Sequence, residues 1–274
     1  MHLSEATAAA LPATVKRPTY DRRRVVPAIV HLGLGAFHRA HQAVYTDAVL
    51  ESGDLGWGIV AAGLVSGRVK AALAPQDGLY TLAEMSAAGE RLQVIGSIVE
   101  VLGADDLPTV LARMAAPTTR IVSLTVTEKG YYIDPASGAL QREAPAIVAD
   151  LAAPRAPKTI LGLIVEALRL RRAAGIAPFT VLSCDNLPHN GRRAKAAVVA
   201  YARIIDAALA GALCELAGLS RKKIEKKITS DLEDMRDNDR EGYEAFFENF
   251  GRGLKYGIYA SYGSQKDTLA DLLL

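Results

Sequence analysis

The stretch VVPAIVHLGLGAFHRAHQAVY, Val25 to Tyr45, decides the fold. An apolar run, Ile29-Val30-His31-Leu32, reaches Gly33-Leu34-Gly35, and an amphipathic segment follows at once. That order reads as a buried strand, a glycine turn and a helix start. Glycines admit positive φ and a close backbone approach, so a ligand phosphate can rest against the N–H groups that open the helix. The third glycine of the usual G-x-G-x-x-G fingerprint is replaced by His38. Spacing alone is therefore shared with an ordinary strand-to-helix turn.

Outward from the turn, Arg39 to Leu50 places Ala40, Val44 and Ala48 on one helical face. Ser52-Gly53-Asp54 ends it, and Trp57 to Val65 is a second buried strand, which completes a βαβ unit. An acidic residue normally ends that second strand and binds the ribose 2′-hydroxyl of NAD. Here stand Ser66-Gly67-Arg68-Val69-Lys70. A cation at Arg68, or at Lys70, suits a 2′-phosphate and points towards NADP or the use of both dinucleotides; the other reading is two basic chains on the face of the next helix.

Gln76 to Leu82 and Arg91 to Ile98 read as two strands of a hairpin, and Asp105 to Met114 as a helix with Asp105 or Asp106 at its cap. Ile121 to Thr127 is a β-branched strand that runs into Glu128-Lys129-Gly130-Tyr131, a polar cluster where a parallel strand ends. Helical patterns follow at Ala144–Leu151 and Lys158–Ala173. Phe179 to Asp185 is a further strand, leading into Asp185-Asn186-Leu187-Pro188-His189-Asn190-Gly191. Asn190 is placed to cap the long alanine-rich helix expected from Arg192 to Ala217. The fold class is α/β: a Rossmann-like, doubly wound, mainly parallel sheet, followed by a short helical C-terminal segment.

Three strings, Gly-Leu-Gly-Ala-Phe-His-Arg-Ala-His-Gln, Ser-Leu-Thr-Val-Thr-Glu-Lys-Gly-Tyr and Ser-Cys-Asp-Asn-Leu-Pro-His-Asn-Gly, resemble the mannitol dehydrogenase family. These are metal-independent polyol and hexuronate dehydrogenases, a group that includes fructuronate reductases. The resemblance covers residues 1–213. It implies that Gly33, Gly35, Ala36, Phe37 and His38 hold NAD or NADP, and that Thr125, Thr127 and Glu128 line the nicotinamide side. It also implies that Asn186 hydrogen-bonds the reacting oxygen of a polyol or sugar-acid substrate. An uncharged amide suits that work, because it polarises the oxygen without losing a proton.

Composition narrows the class further. The 274 residues are half hydrophobic and carry a net charge of +2 from many charges of both signs, which argues against a nucleic-acid-binding surface. Two cysteines, Cys184 and Cys214, make no disulfide framework and fit a reducing cytoplasm. The start, MHLSEATAAALPATVK, lacks the basic n-region of a secretory signal, and no stretch approaches the ~20 apolar residues of a membrane span. No metal site is expected: His38 and His41 share a helix, but no carboxylate or cysteine joins them. Cys184 beside Asp185 is a poor thiolate and no nucleophile.

Near Gly218 and Ser220 the composition turns over to Lys222, Lys223, Lys226 and Lys227, then to Phe246, Phe247, Phe250, Tyr256 and Tyr259. Residues 220–274 resemble part of the middle domain of bacterial ninety-kilodalton heat-shock chaperones. Read by itself, the pattern is of two amphipathic helices with a solvated lysine face. Two domains are expected: 1–213, binding a dinucleotide, and 214–274, helical. In the family that the first part resembles, a C-terminal domain supplies a lysine base within a Lys…Asn-x-x-His pattern. The last histidine here is His189. A fused chain without that domain is the expectation, and with it the alternatives of a non-catalytic dinucleotide module or a chaperone-derived interaction segment.

Overall fold

The computed structural model describes residues 3–87, 89–134 and 137–214. The chain is α/β and Rossmann-like, and it divides into two compact units. Of the described residues, 3–125 and 166–179 make the first and 126–165 and 180–214 the second.

The first unit is built on four parallel strands: β1 (Pro27–Leu32), β2 (Gly58–Gly63), β5 (Ile98–Gly103) and β6 (Ile121–Leu124). Their order is β5-β2-β1-β6. Five of the six residues of β1, and all six of β2, are buried. Continuous apolar runs are what a parallel sheet covered on both faces requires. Strand β1 pairs on one side with β2, Ile29 opposite Ile59, and on the other with β6, Ile29 opposite Ile121. The chain leaves β1 towards β2 and arrives at β6 from the far side. The carboxyl ends of β1 and β6 therefore flank a topological switch point, where open α/β sheets hold ligands.

Two elements differ from the sequence reading. The single helix expected over Arg39–Leu50 is α1 (Ala36–Ala40) followed by α2 (Gln42–Glu51). The break is His41, at φ −130° and ψ −91°, outside the helical region. Strand β5 was not separated from the hairpin, because Gly96 and Ser97 divide an otherwise continuous apolar pattern. The hairpin itself is β3 (Tyr80–Ser86) against β4 (Gly89–Ile95), antiparallel in the register Tyr80 to Ile95.

Helix α2 is fixed to this unit by a buried carboxylate. Asp47 accepts from Tyr20 Oη at 2.6 Å, from the Gly96 backbone N–H at 2.8 Å and from Gln93 Nε2 at 3.3 Å. Three donors offset the cost of taking that charge out of water, although burial still raises its pKa. Ile29, Leu34, Ala43, Ile59, Ala61, Leu73, Ile95 and Ile98 form the apolar core around it. Helices α3 (Arg68–Leu73) and α4 (Leu107–Ala115) complete the connections.

In the second unit lie β7 (Thr180–Ser183), α5 (Pro145–Ala152) and α7 (Asn190–Ile205); α6 (Ile160–Ala173) begins there and enters the first unit at Glu166. Asp150, buried, accepts from the backbone N–H groups of Lys158 and Thr159 and from the Thr159 hydroxyl, which ties the α5–α6 connection closed. Helix α7 stops at Asp206, short of the expected Ala217, and residues 207–214 are helical again. The expectation of a helical, chaperone-like segment over 220–274 falls outside the described residues.

Candidate functional site

Gly33 follows β1 directly and turns at φ +111°. A Cβ there would lie 2.1 Å from the Thr125 carbonyl oxygen and 2.9 Å from Thr125 Oγ1. Only glycine lets the end of β1 pass so close to the residue that follows β6. Gly35 differs from the expectation of positive φ: it sits at φ −101° and ψ −178°, which any residue adopts. A Cβ on Gly35 would meet nothing of the protein closer than 3.6 Å. The fold therefore needs glycine at 33 and leaves room at 35. Gly35 is also the N-cap of α1 and has no side chain to cap it, so the first-turn N–H groups of Ala36 and Phe37 are left to a ligand or to water. Phe37 is exposed beside them, its ring stacked 5.0 Å from His41.

Beneath the turn is a buried polar layer that the sequence reading did not find. The His31 and His38 rings stack with centroids 3.5 Å apart and planes 8° from parallel. His31 Nδ1 faces Ser123 Oγ at 2.9 Å, and Nε2 faces Thr125 Oγ1 at 2.9 Å. Ser123 Oγ donates to Gln42 Oε1, which places the single N–H of neutral His31 on Nδ1. Thr125 Oγ1 also lies 2.6 Å from the Gly33 carbonyl, so its hydrogen is divided between that oxygen and His31 Nε2. The backbone of the glycine turn is thus held by Thr125, the residue after β6, which is itself bonded to His31 of β1. Burial pushes the pKa of His31 down to about 3 against the weak opposing pull of the Gly33 carbonyl. Burial, and then His31 itself, pushes His38 down to about 2. Neither His38 nitrogen has a hydrogen-bond partner of good geometry, although Gln42 lies near enough to favour its proton slightly. His38 and His41 do not share a helix after all. Among the described residues no group of three or more His, Cys, Asp or Glu is gathered as a metal would need.

At the end of β2, Arg68 opens α3 and is exposed. Lys70 is committed elsewhere: Nζ lies 2.9 Å from Asp105 and 2.5 Å from Asp106, and both carboxylates raise its pKa. Of the two cations weighed for a 2′-phosphate, only Arg68 remains.

In the second unit, the chain after β6 makes a sharp turn. Thr127 has φ +64° and ψ 171°, a conformation that β-branched residues almost never adopt. Glu128 follows it, and both are exposed. Asp185 Oδ1 accepts from the Thr127 N–H at 2.9 Å, and Oδ2 accepts from the Tyr131 hydroxyl at 2.6 Å. Tyr131 is buried, with its hydroxyl 2.6 Å from Ser183 Oγ. Burial first, then the Asp185 charge, raises its pKa and keeps it a phenol. Asn186, exposed, is the next residue along from Asp185. Asn190 is the first residue of α7, and the N-cap position before it is His189, in the left-handed region; Asn190 Oδ1 still takes the first-turn N–H of Gly191 at 2.7 Å. The Asn190 amide also donates to the carbonyls of Ser183 and Asp185 at 3.0 Å each, which closes the loop that bears Asn186. Burial, followed by Asp185, pushes the Cys184 thiol up to about 11, as its setting in the sequence suggests.

The structure thus brings Gly33, Gly35, Ala36, Phe37, His38 and Thr125 together at the switch point of the first unit, with Arg68 at the end of β2. In the second, the Thr127 N–H is bonded to Asp185, and Glu128 and Asn186 are the next residues along the chain from that pair. Sequence reasoning passed over His31, Ser123, Tyr131 and Asp185.

A parallel sheet with a glycine turn at its switch point defines a Rossmann-like nucleotide-binding domain. Residues 27–224 match the mannitol dehydrogenase Rossmann domain, and the chain belongs to the mannitol dehydrogenase family. It is 50% identical over 202 residues to a mannitol 2-dehydrogenase of Cereibacter sphaeroides, covering 72% of this chain and 42% of that protein. Against the D-mannonate oxidoreductase of Escherichia coli it is 51% identical over 201 residues, 72% of this chain and 41% of the relative. The ternary complex of Pseudomonas fluorescens mannitol 2-dehydrogenase with NAD and D-mannitol superposes with a TM-score of 0.75 at 44% identity, over 78% of this chain and 45% of that one. The chain spans well under half the length of these relatives. No helix among the described residues is long and apolar enough to cross a membrane.

Proposed function

We propose that this chain binds NAD or NADP at the Gly33–Gly35 turn and serves hydride transfer between the nicotinamide and a polyol or sugar acid. The observation that carries the reading is the pair of glycines. Gly33 is required by the fold, whereas Gly35 is not, and its bare face lies beside uncapped N–H groups, where a pyrophosphate fits. When bound, the nicotinamide would supply the hydride acceptor or donor. The chain's own residues bind and orient: Ala36 and Phe37 offer N–H groups, His38 backs the turn, and Thr125, Thr127 and Glu128 line the nicotinamide side. Asn186 donates its amide hydrogen to the reacting oxygen and stabilises the charge that develops there. In this reading residues 1–213 form the dinucleotide domain, residues 214–274 a helical segment with the chaperone likeness, and the protein works in the cytoplasm.

The test is a titration with NAD and NADP, followed by turnover assays with mannitol, fructose, D-mannonate and fructuronate. Binding with turnover is expected on the named relatives' chemistry; absence of dinucleotide binding overturns the proposal. A second reading, binding without turnover, rests on the sequence after Gly191, which contains no histidine and so no Lys…Asn-x-x-His pattern. Binding of both dinucleotides with no turnover on any of the four compounds would select it.

Arg68 carries the choice between dinucleotides. Since Lys70 is held by Asp105 and Asp106, Arg68→Ala is expected to weaken NADP about tenfold, the scale of one exposed charge-assisted pair, and NAD less than twofold. Equal losses for both would show that Arg68 does not face the 2′ position.

A further inference from the structure

Thr127 is held in a backbone conformation that threonine avoids, and something must hold it there. The Thr127 side chain forms no hydrogen bond that caps the turn it opens. The bond that fixes it comes from its own N–H to Asp185 Oδ1, while the other oxygen of that carboxylate takes the hydroxyl of Tyr131, at the far end of the same turn. Tyr131 is buried, and Ser183 Oγ supports its hydroxyl from β7, so the clamp stands on a rigid base. The Asp185 carbonyl is engaged as well, by the Leu187 N–H and the Asn190 amide. One residue thereby fixes two segments: the turn that presents Thr127 and Glu128, and the loop that presents Asn186.

We propose that Asp185 is a positioning residue, whose carboxylate clamps the strained Thr127 turn and sets Thr127, Glu128 and Asn186 in place for the nicotinamide end of the dinucleotide. This rests on the function proposed above. No bond of Asp185 to a ligand is involved. Without the clamp, Thr127 relaxes out of the left-handed region and the binding-competent turn becomes a minor state, which lowers apparent affinity by the fraction lost.

The test follows from the cause. Asp185→Ala in the full chain is expected to weaken NAD binding about tenfold, whereas Asp185→Asn, whose Oδ1 still accepts from the Thr127 N–H, should stay within about threefold of the parent. Asp185→Ala binding like the parent, or Asp185→Asn as weak as Asp185→Ala, overturns the proposal. Glycine adopts φ +64° at little cost, so Thr127→Gly reports the strain directly. Stability provides a second readout that needs no ligand. Thr127→Gly should raise the melting temperature of the parent, where it relieves strain, and should not raise that of Asp185→Ala. Equal shifts in both backgrounds overturn the clamp. If the parent binds no dinucleotide at all, the proposed function fails, and the melting experiment still decides for or against the clamp.

Discussion

Replacing Gly33 by alanine is expected to cost several kcal/mol of stability and to abolish dinucleotide binding, whereas the same change two residues on, at Gly35, should spare the fold and damage binding alone. The two glycines have opposite reasons to exist. At 33, φ is +111° and a Cβ would press to 2.1 Å from the Thr125 carbonyl oxygen. Thr125 is tied to the end of β1 by its N–H, bonded to the Leu32 carbonyl, and by its Oγ1, bonded to the Gly33 carbonyl, so the backbone has little freedom to yield. Strain at a forbidden φ and overpacking against backbone each cost about 1–3 kcal/mol, so about 2–6 kcal/mol together is the right order. Against a typical total of ~5–15 kcal/mol, that brings the first unit close to unfolding.

At 35 the backbone is ordinary, and the nearest protein atom to a new Cβ is Gly33 O at 3.6 Å. Exchanging glycine for alanine at an N-cap costs less than about 1 kcal/mol. A methyl group there occupies the face on which the ligand backbone must rest, so the dinucleotide dissociation constant should rise at least tenfold. Chemical denaturation and cofactor titration on the two variants check both halves. A Gly35→Ala chain with unchanged affinity would place the phosphates elsewhere, and a Gly33→Ala chain of parental stability would mean that the strands do not approach as described.

The strands and the glycine turn were legible because they are local: an apolar run, a Gly-x-Gly and a helical face are written within consecutive residues. The helix break at His41 was not, since nothing about a histidine forbids helix, and its φ of −130° and ψ of −91° leave no mark in the local pattern. Strand β5 was merged into the hairpin because the pause at Gly96-Ser97 is two residues long. What holds the residues named from the family strings is long-range. Asp185 meets Thr127 across 58 residues of chain, and His31 meets Ser123 across 92. No periodicity reports such pairs. Asn190 shows the same limit from the other side: capping is the commonest use of asparagine before a helix, and here the amide is spent on two carbonyls inside the loop.

The stacked pair His31 and His38 makes the protein acid-sensitive in a window that carboxylates alone would not give. Both rings are fully buried, and both are held neutral, with pKa values near 3 and 2 against 6.5 in an unfolded chain. The unfolded state therefore takes up protons below pH 6.5 that the folded state refuses. Stability is unaffected above that value and falls as pH drops from 6.5 towards 3. Each histidine contributes about 1.4 kcal/mol per pH unit, so by pH 4.5 the pair accounts for up to about 5 kcal/mol. Asp47 works in the opposite direction, because burial raises its pKa and its protonation favours the folded form. It is one group against two, and its three donors resist that protonation. The expected result is a denaturation midpoint that is flat from pH 8 to 6.5 and declines steeply between 6 and 4.5. His38→Phe should keep the stack on His31 and remove one of the two proton-binding groups, along with two buried nitrogens that lack good partners. It is expected to be near neutral at pH 7.5 and to halve the loss between pH 6.5 and 4.5, measured by urea unfolding at each pH. An unchanged slope in that variant would mean that His38 reaches solvent and titrates normally in the folded chain.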